Sequence, residues 1–236
     1  MSEASRAEEI RMLQQRIAGM QRARVVERTL PTSEALADLL PGGALASGGS
    51  YVVDDSAALA LELLRGPSGA GSWCAIVGLP DLGVEAAASA GLDLDRLVLV
   101  PHPGEQWFAV VSALVDAVSV VLLHPPAHAR VGAASAERLS ARLRRRDAVL
   151  VAMRAWPGAR ARLVVAQSDW VGLGSGSGHL SARQVTVAAS SAAWQGRTRS
   201  RRLWLPDAQG RVRPVLARGA EAAAPERAQR RELRGA

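Results

Sequence analysis

The sequence contains no lysine; all 29 of its basic side chains are arginine. That absence removes the compact ammonium group that a phosphate-binding loop sets against the β and γ phosphates, where a broad, planar guanidinium fits poorly. Aromatic residues are scarce at 3%, so any core must be aliphatic, and the 48% of hydrophobic residues supply it. The single cysteine, Cys74, excludes an intrachain disulfide; within the apolar run Trp73–Val77 it reads as a buried, inert thiol. Long hydrophobic runs are missing too. The longest, Ala109–Leu123, is too short to span a bilayer and is broken by Asp116. The first ten residues are polar and charged, unlike a secretory signal, so a cytoplasmic protein without membrane contact is expected.

What the chain does have is unevenly placed charge. Residues 197–236 hold 11 arginines against Asp207, Glu221, Glu226 and Glu232, so the whole formal net charge of +7 resides there and the first 196 residues balance. A terminus rich in Arg, Ala and Pro without a sustained apolar stripe is expected to be flexible. Nucleic-acid contact, if present, is expected from Arg197, Arg199, Arg201, Arg202, Arg211 and Arg213, as weak and sequence-insensitive pairing with phosphates. At the other end, Ile10, Leu13, Ile17 and Met20 recur at helical spacing and form one stripe of a helix over Ala4–Arg24. That stripe requires a cover, either the chain's own core or a protein partner. Length and patterning divide the chain into an N-terminal amphipathic helix (1–28), a core (29–206, antiparallel from about 160) and an Arg-rich flexible tail (207–236).

Within the core, a short helix at Ser33–Leu40 ends at Pro41-Gly42-Gly43, and apolar strands then alternate with amphipathic helices. The pattern predicts strands at Ser50–Val53, Trp73–Leu79, Arg96–Val100, Val118–Leu123 and Ala148–Met153. Helices are predicted at Ser56–Leu64, Val84–Ala90, Glu105–Asp116 and Ala134–Arg146. The strands LVLV, VVLL and AVLVAM are continuously apolar, as expected of parallel strands covered by helices on both faces, which points to a doubly wound α/β sheet. From Arg160 onward the runs are short and alternating, and read as antiparallel strands at the sheet edge, with Gly174–Gly178 as a hairpin turn.

The stretch Trp73–Pro126, with Cys74-Ala75, Gly91–Val100, Pro103-Gly104-Glu105-Gln106 and the VSVVLL strand in order, resembles the RecA family over roughly Gly48–Met153. The resemblance implies a RecA-like, mostly parallel doubly wound sheet with antiparallel edge strands. It also marks what is missing. Where the family enters a glycine-rich loop and Gly-Lys-Thr, this chain runs from Val53 through Asp54 and Asp55 directly into a helix. The family's catalytic glutamate falls on Pro80 and its metal-holding aspartate on His124. The resemblance thus implies a pseudo-ATPase without catalytic residues, cofactor or metal.

Two decoys fail on chemistry. Gly66–Gly71 has the glycine spacing of a phosphate loop, but Trp73 follows where a magnesium-binding hydroxyl belongs, and the segment leads from helix to strand, the reverse of the required order. His124 and His128 lie four apart in a proline-rich segment that cannot be helical, with no acidic or cysteine cluster to complete a metal shell.

The motifs LPGGALASGGSYVV, GSWCAIVGLPDLG, AWPGA and DWVGLGSGSGHL, with the degenerate core and basic tail, resemble the ImuA group, RecA/SulA-related accessory proteins of an inducible mutagenesis cassette. That resemblance implies a non-catalytic scaffold in DNA-damage-induced translesion synthesis, cytoplasmic and nucleoid-associated when induced. Its implied partners are an ImuB-like Y-family polymerase homologue and, through it, an error-prone C-family polymerase. The alternatives are a SulA-like inhibitor of cell division and an ATP-dependent RecA-type recombinase, the latter opposed by the missing lysine.

Overall fold

The computed structural model describes residues 28–173 and 178–215. The stripe Ile10, Leu13, Ile17, Met20, the turn at 174–177 and the tail beyond Val215 lie outside the described residues.

Nine strands form one sheet. Four are apolar and buried: β3 (Ser50–Asp54) apart from the buried but polar Ser50 and the partly buried Asp54, β4 (Cys74–Val77), β6 (Val120–Leu123) and β7 (Val149–Ala152). The others are β5 (Leu97–Val100), β8 (Ala161–Leu173), β9 (Gly178–Ser190), β10 (Thr198–Trp204) and β11 (Arg213–Pro214). Their order is β11-β10-β9-β8-β3-β7-β6-β4-β5. From β8 to β5 all neighbours are parallel, and β9, β10 and β11 add on antiparallel. The strand starting at Ala161 was expected to be antiparallel; its first residues instead pair in parallel with β3, and only its other side faces β9 antiparallel. A separate two-stranded pair, β1 (Thr29–Leu30) with β2 (Leu45–Ala46), precedes the sheet.

Alternation along the strands sends side chains to two cores. Tyr51, Val53, Cys74, Ile76, Val120, Leu122, Val149 and Val151 meet α1 (Glu34–Ala37), α2 (Ala57–Gly69) and α3 (Val84–Ser89) on one face. Val52, Ala75, Val77, Val121, Leu123, Leu150 and Ala152 meet α4 (Trp107–Ala117) and α5 (Ala133–Arg146) on the other. Two-sided burial is why these strands carry no polar alternation. Cys74 is buried, and burial pushes its thiol pKa up to about 12, which makes it inert.

The helix after β3 runs past its expected end at Leu64 through Gly66 and Pro67 to Gly69. The Gly66–Gly71 segment is thus largely the last turn of α2. Gly66 is required there because a β-carbon would strike the carbonyl of Pro31.

The core also continues past the boundary expected at Pro206. Residues 207–215 fold back on β10: Leu203 pairs with Pro214 and Trp204 with Arg213. Asp207 anchors this hook from a buried position, accepting from the backbone N–H groups of Gln209 and Arg211 and from Arg213 Nε at 2.7 Å. Ordered structure therefore extends through residues 207–215, where the tail was expected to begin.

Charge is separated along the chain. Between residues 29 and 117, which build β3, β4, β5 and α1–α4, there are eleven acidic residues and two arginines. Between 118 and 215 there are four acidic residues and sixteen arginines. The sequence balance over the first 196 residues concealed this, because the acidic excess of 29–117 is offset by the arginines before it and those of 118–196 after it.

Candidate functional site

The carboxyl ends of parallel strands, where strand order and helix side change, are where α/β sheets place their ligands. In this chain the decisive junction is the end of β3. Only Asp55 separates β3, which ends at Asp54, from Ser56, the N-cap of the next helix α2, whose hydroxyl accepts from Leu59 N at 3.3 Å. Asp55 holds φ +44, a left-handed turn that short polar residues tolerate. The first turn of α2, which would receive an anion in a phosphate loop, is closed by its own cap and preceded by two carboxylates.

Asp54 is occupied in turn. Its Oδ2 accepts from Arg162 Nε at 2.6 Å, across 108 residues of sequence. The register that sets Val52 opposite Arg162 and Asp54 opposite Val164 brings the two together.

The other two degenerate positions sit at neighbouring strand ends. His124 follows β6, and its Nδ1 lies 3.2 Å from the carbonyl of Gly78, which follows β4; since a carbonyl only accepts, Nδ1 carries the proton. Gly78 adopts φ +79, and a β-carbon on it would collide with the His124 carbonyl. Pro80 is exposed and offers no acid or base. His124 is thus a strut between two loops. Among the described residues no group of three or more His, Cys, Asp or Glu could hold a metal ion.

The arginines expected to meet nucleic acid are mostly engaged within the chain. Arg201 Nη1 donates to Asp38 Oδ2 at 2.6 Å and to the Glu34 carbonyl at 3.1 Å, tying β10 to α1. Arg199 donates to the Asp38 carbonyl and lies 4.4 Å above the Trp194 ring. Arg202 donates to Gln184, while Arg211 and Arg213 flank Asp207. Arg197 is exposed. Sequence reasoning missed a different concentration of charge on α5, where Arg142, Arg145 and Arg146 converge within 3.0–3.8 Å of Asp116. The Arg146 hydrogen bond, then the Coulombic pull of Arg142, Arg146 and Arg145, outweigh desolvation and hold the Asp116 carboxyl below its ordinary value.

Two cavities open at this end of the sheet. One, about 700 Å³, lies between α2, α3 and the 205–212 hook, and is largely apolar, with Leu61, Leu82, Leu205 and Val212 in its walls. Glu62 also lines it; burial raises its carboxyl pKa, against the nearby Ser33 hydroxyl and Arg65, whose Nη1 lies 3.7 Å from Oε2. The other, about 640 Å³, lies on the opposite face, between the 129–131 and 155–159 segments and Arg162.

The family model of the MT3502 N-terminal domain matches residues 38–158, which span β3 through β7 and this junction. The chain belongs to that family. A relative, an uncharacterized protein of Mycobacterium tuberculosis (Rv3395c), is 35% identical over 129 residues, covering 53% of this chain and 63% of the relative. The MT3502-type chain described here therefore matches less than two thirds of that relative's length. Among solved structures, SulA from Pseudomonas aeruginosa superposes with a TM-score of 0.39 at 18% identity, over 45% of this chain and 97% of SulA. A likeness of that size carries no functional argument.

Proposed function

We propose that the chain is a non-catalytic, RecA-like accessory protein of DNA-damage-induced translesion synthesis that binds an ImuB-like polymerase homologue. One observation carries the non-catalytic part: the two-residue link Asp55-Ser56 from β3 to α2, with Asp54 at the strand end paired with Arg162 and Ser56 capping the helix. A chain with that link, and with Pro80 and His124 at the other two positions, has neither a phosphate cradle, a general base nor a metal carboxylate at the RecA-type site. The mostly parallel sheet with helices on both faces and antiparallel edge strands supports the RecA kinship. The polymerase partner rests on the ImuA-like motifs, and the cytoplasmic, nucleoid-associated setting follows from that role.

Two measurements test the reading. Incubation of the purified chain with Mg²⁺ and ATP gives no phosphate release above a protein-free control; turnover abolished by Asp54→Asn would place chemistry at the junction and end the pseudo-ATPase reading. A tagged chain recovered from DNA-damaged cells brings down the Y-family polymerase homologue. Recovery of a filament-forming division GTPase in its place would replace the translesion role with division control.

A further inference from the structure

We propose that the cavity between the 129–131 and 155–159 segments binds a small oxyanion, a phosphate or a carboxylate group. It stands apart from the degenerate RecA-type junction, because it opens on the Val52 face of β3, whereas α2 packs on the Tyr51 and Val53 face.

Position is the first argument. The cavity is bounded by the segments that follow β6 and β7 and by the early part of β8, so it sits at the carboxyl ends of the central parallel strands. Its volume of about 640 Å³ is that of a small-molecule site.

The chemistry of the lining is the second. Its charged residues are Arg130 and Arg162, and no carboxylate lines it. Asp54 engages Arg162 only through Nε, while a guanidinium carries five N–H donors in a planar fork, so the remaining donors exceed what one carboxylate oxygen accepts. Asp54 thereby fixes the orientation of Arg162 without saturating it. Two guanidinium groups on one concave surface favour a ligand with several acceptor oxygens and negative charge, to which charge-assisted hydrogen bonds are short and strong.

The third argument is an orphan donor. Trp156 lines the cavity, is 5% exposed, and its buried Nε1 finds no acceptor among the described residues. A buried N–H without an acceptor costs about 1–3 kcal/mol; Nε1 is closed to solvent, so an oxygen atom reaches it and recovers that cost once the 155–159 segment yields. Gly158 at φ +74, in the same segment, has open space around its α-carbon, so the loop has room to adjust.

The test follows the Trp156 indole N–H by NMR in the full ¹⁵N-labelled chain, with the resonance assigned through Trp156→Phe. Sodium phosphate and sodium glutarate are titrated separately at constant ionic strength. The expected result is a saturable downfield shift of that resonance, with one of the two anions binding at least about tenfold more tightly and so naming the phosphate or the carboxylate source. Arg130→Gln weakens that binding by at least about tenfold and leaves the other indole resonances in place. A Trp156 resonance that neither anion moves, one that sodium chloride moves equally, or binding that Arg130→Gln leaves unchanged would overturn the proposal.

Discussion

Gly78 stands at φ +79 with the His124 carbonyl packed where a β-carbon would go, so the two loops that end β4 and β6 meet through a position that admits no side chain. Gly78→Ala imposes both a left-handed backbone and a backbone clash, and is expected to cost on the order of 2–4 kcal/mol in urea unfolding. Asp207 gives a pH-dependent counterpart. Burial works to raise its pKa, but the Arg211 N–H, the Arg213 guanidinium and the Gln209 N–H outweigh it and hold the carboxyl below its ordinary value. A depressed carboxylate contributes stability that is present above its unfolded pKa, near 3.9, and is lost as pH falls through the folded value. Asp207→Asn is therefore expected to lower the unfolding midpoint at pH 7 and to converge on the unmodified protein at acid pH, once pH has fallen through the lowered folded value. Equal offsets at both pH values would show that Asp207 acts by shape alone.

Among the elements, the hook at 207–215 separates two truncations. Ending the chain at Pro206 removes Asp207, its two arginine partners and β11, and is expected to lower the melting temperature by about 5–10 °C, from a loss of about 2–3 kcal/mol. Ending it at Val215 keeps every contact described here, and the melting temperature should hold. The hook was not legible in the sequence, where Asp207, Arg211 and Arg213 read as part of a charge run; their meeting depends on a tight turn and a two-residue strand. By contrast, VVLL and VLVA were legible as buried parallel strands because helices cover both faces and leave no polar alternation, whereas LVLV, equally apolar, lies at the sheet edge and is only partly buried. The closure of the β3–α2 junction was half legible. Asp54 and Asp55 could be read directly, but the Arg162 partner comes from a parallel register 108 residues away. Similarly, the Trp156 cavity has no local signature, since its walls come from separate loops. The β8–β9 arm was seen as a hairpin, but not that β8 continues nine residues past the Asp54–Val164 pairing, about 30 Å at strand rise. Beyond that pairing Trp170 is 51% exposed beneath Arg183. Trp170→Ala should change stability by less than about 0.5 kcal/mol, as an exposed site does, so that any loss of polymerase-homologue recovery reports contact and not unfolding.

For the whole molecule, the sequence of assembly follows from the place of β3. It is the first strand of the main sheet to be made, yet its two neighbours are β7, through Leu150–Ala152, and β8, through Ala161–Val164. During translation the nascent β3 must wait, with both ladder edges open, until the ribosome has released residues past 164. Long waits of this kind slow folding and expose aggregation-prone edges. A fragment cut to the family match, 38–158, would end before β8 and leave β3 permanently with one open edge. Such a fragment is expected to aggregate on expression while a chain ending at Val215 stays dispersed. The arm and hook that follow the family domain are, in that sense, an intramolecular chaperone for its central strand.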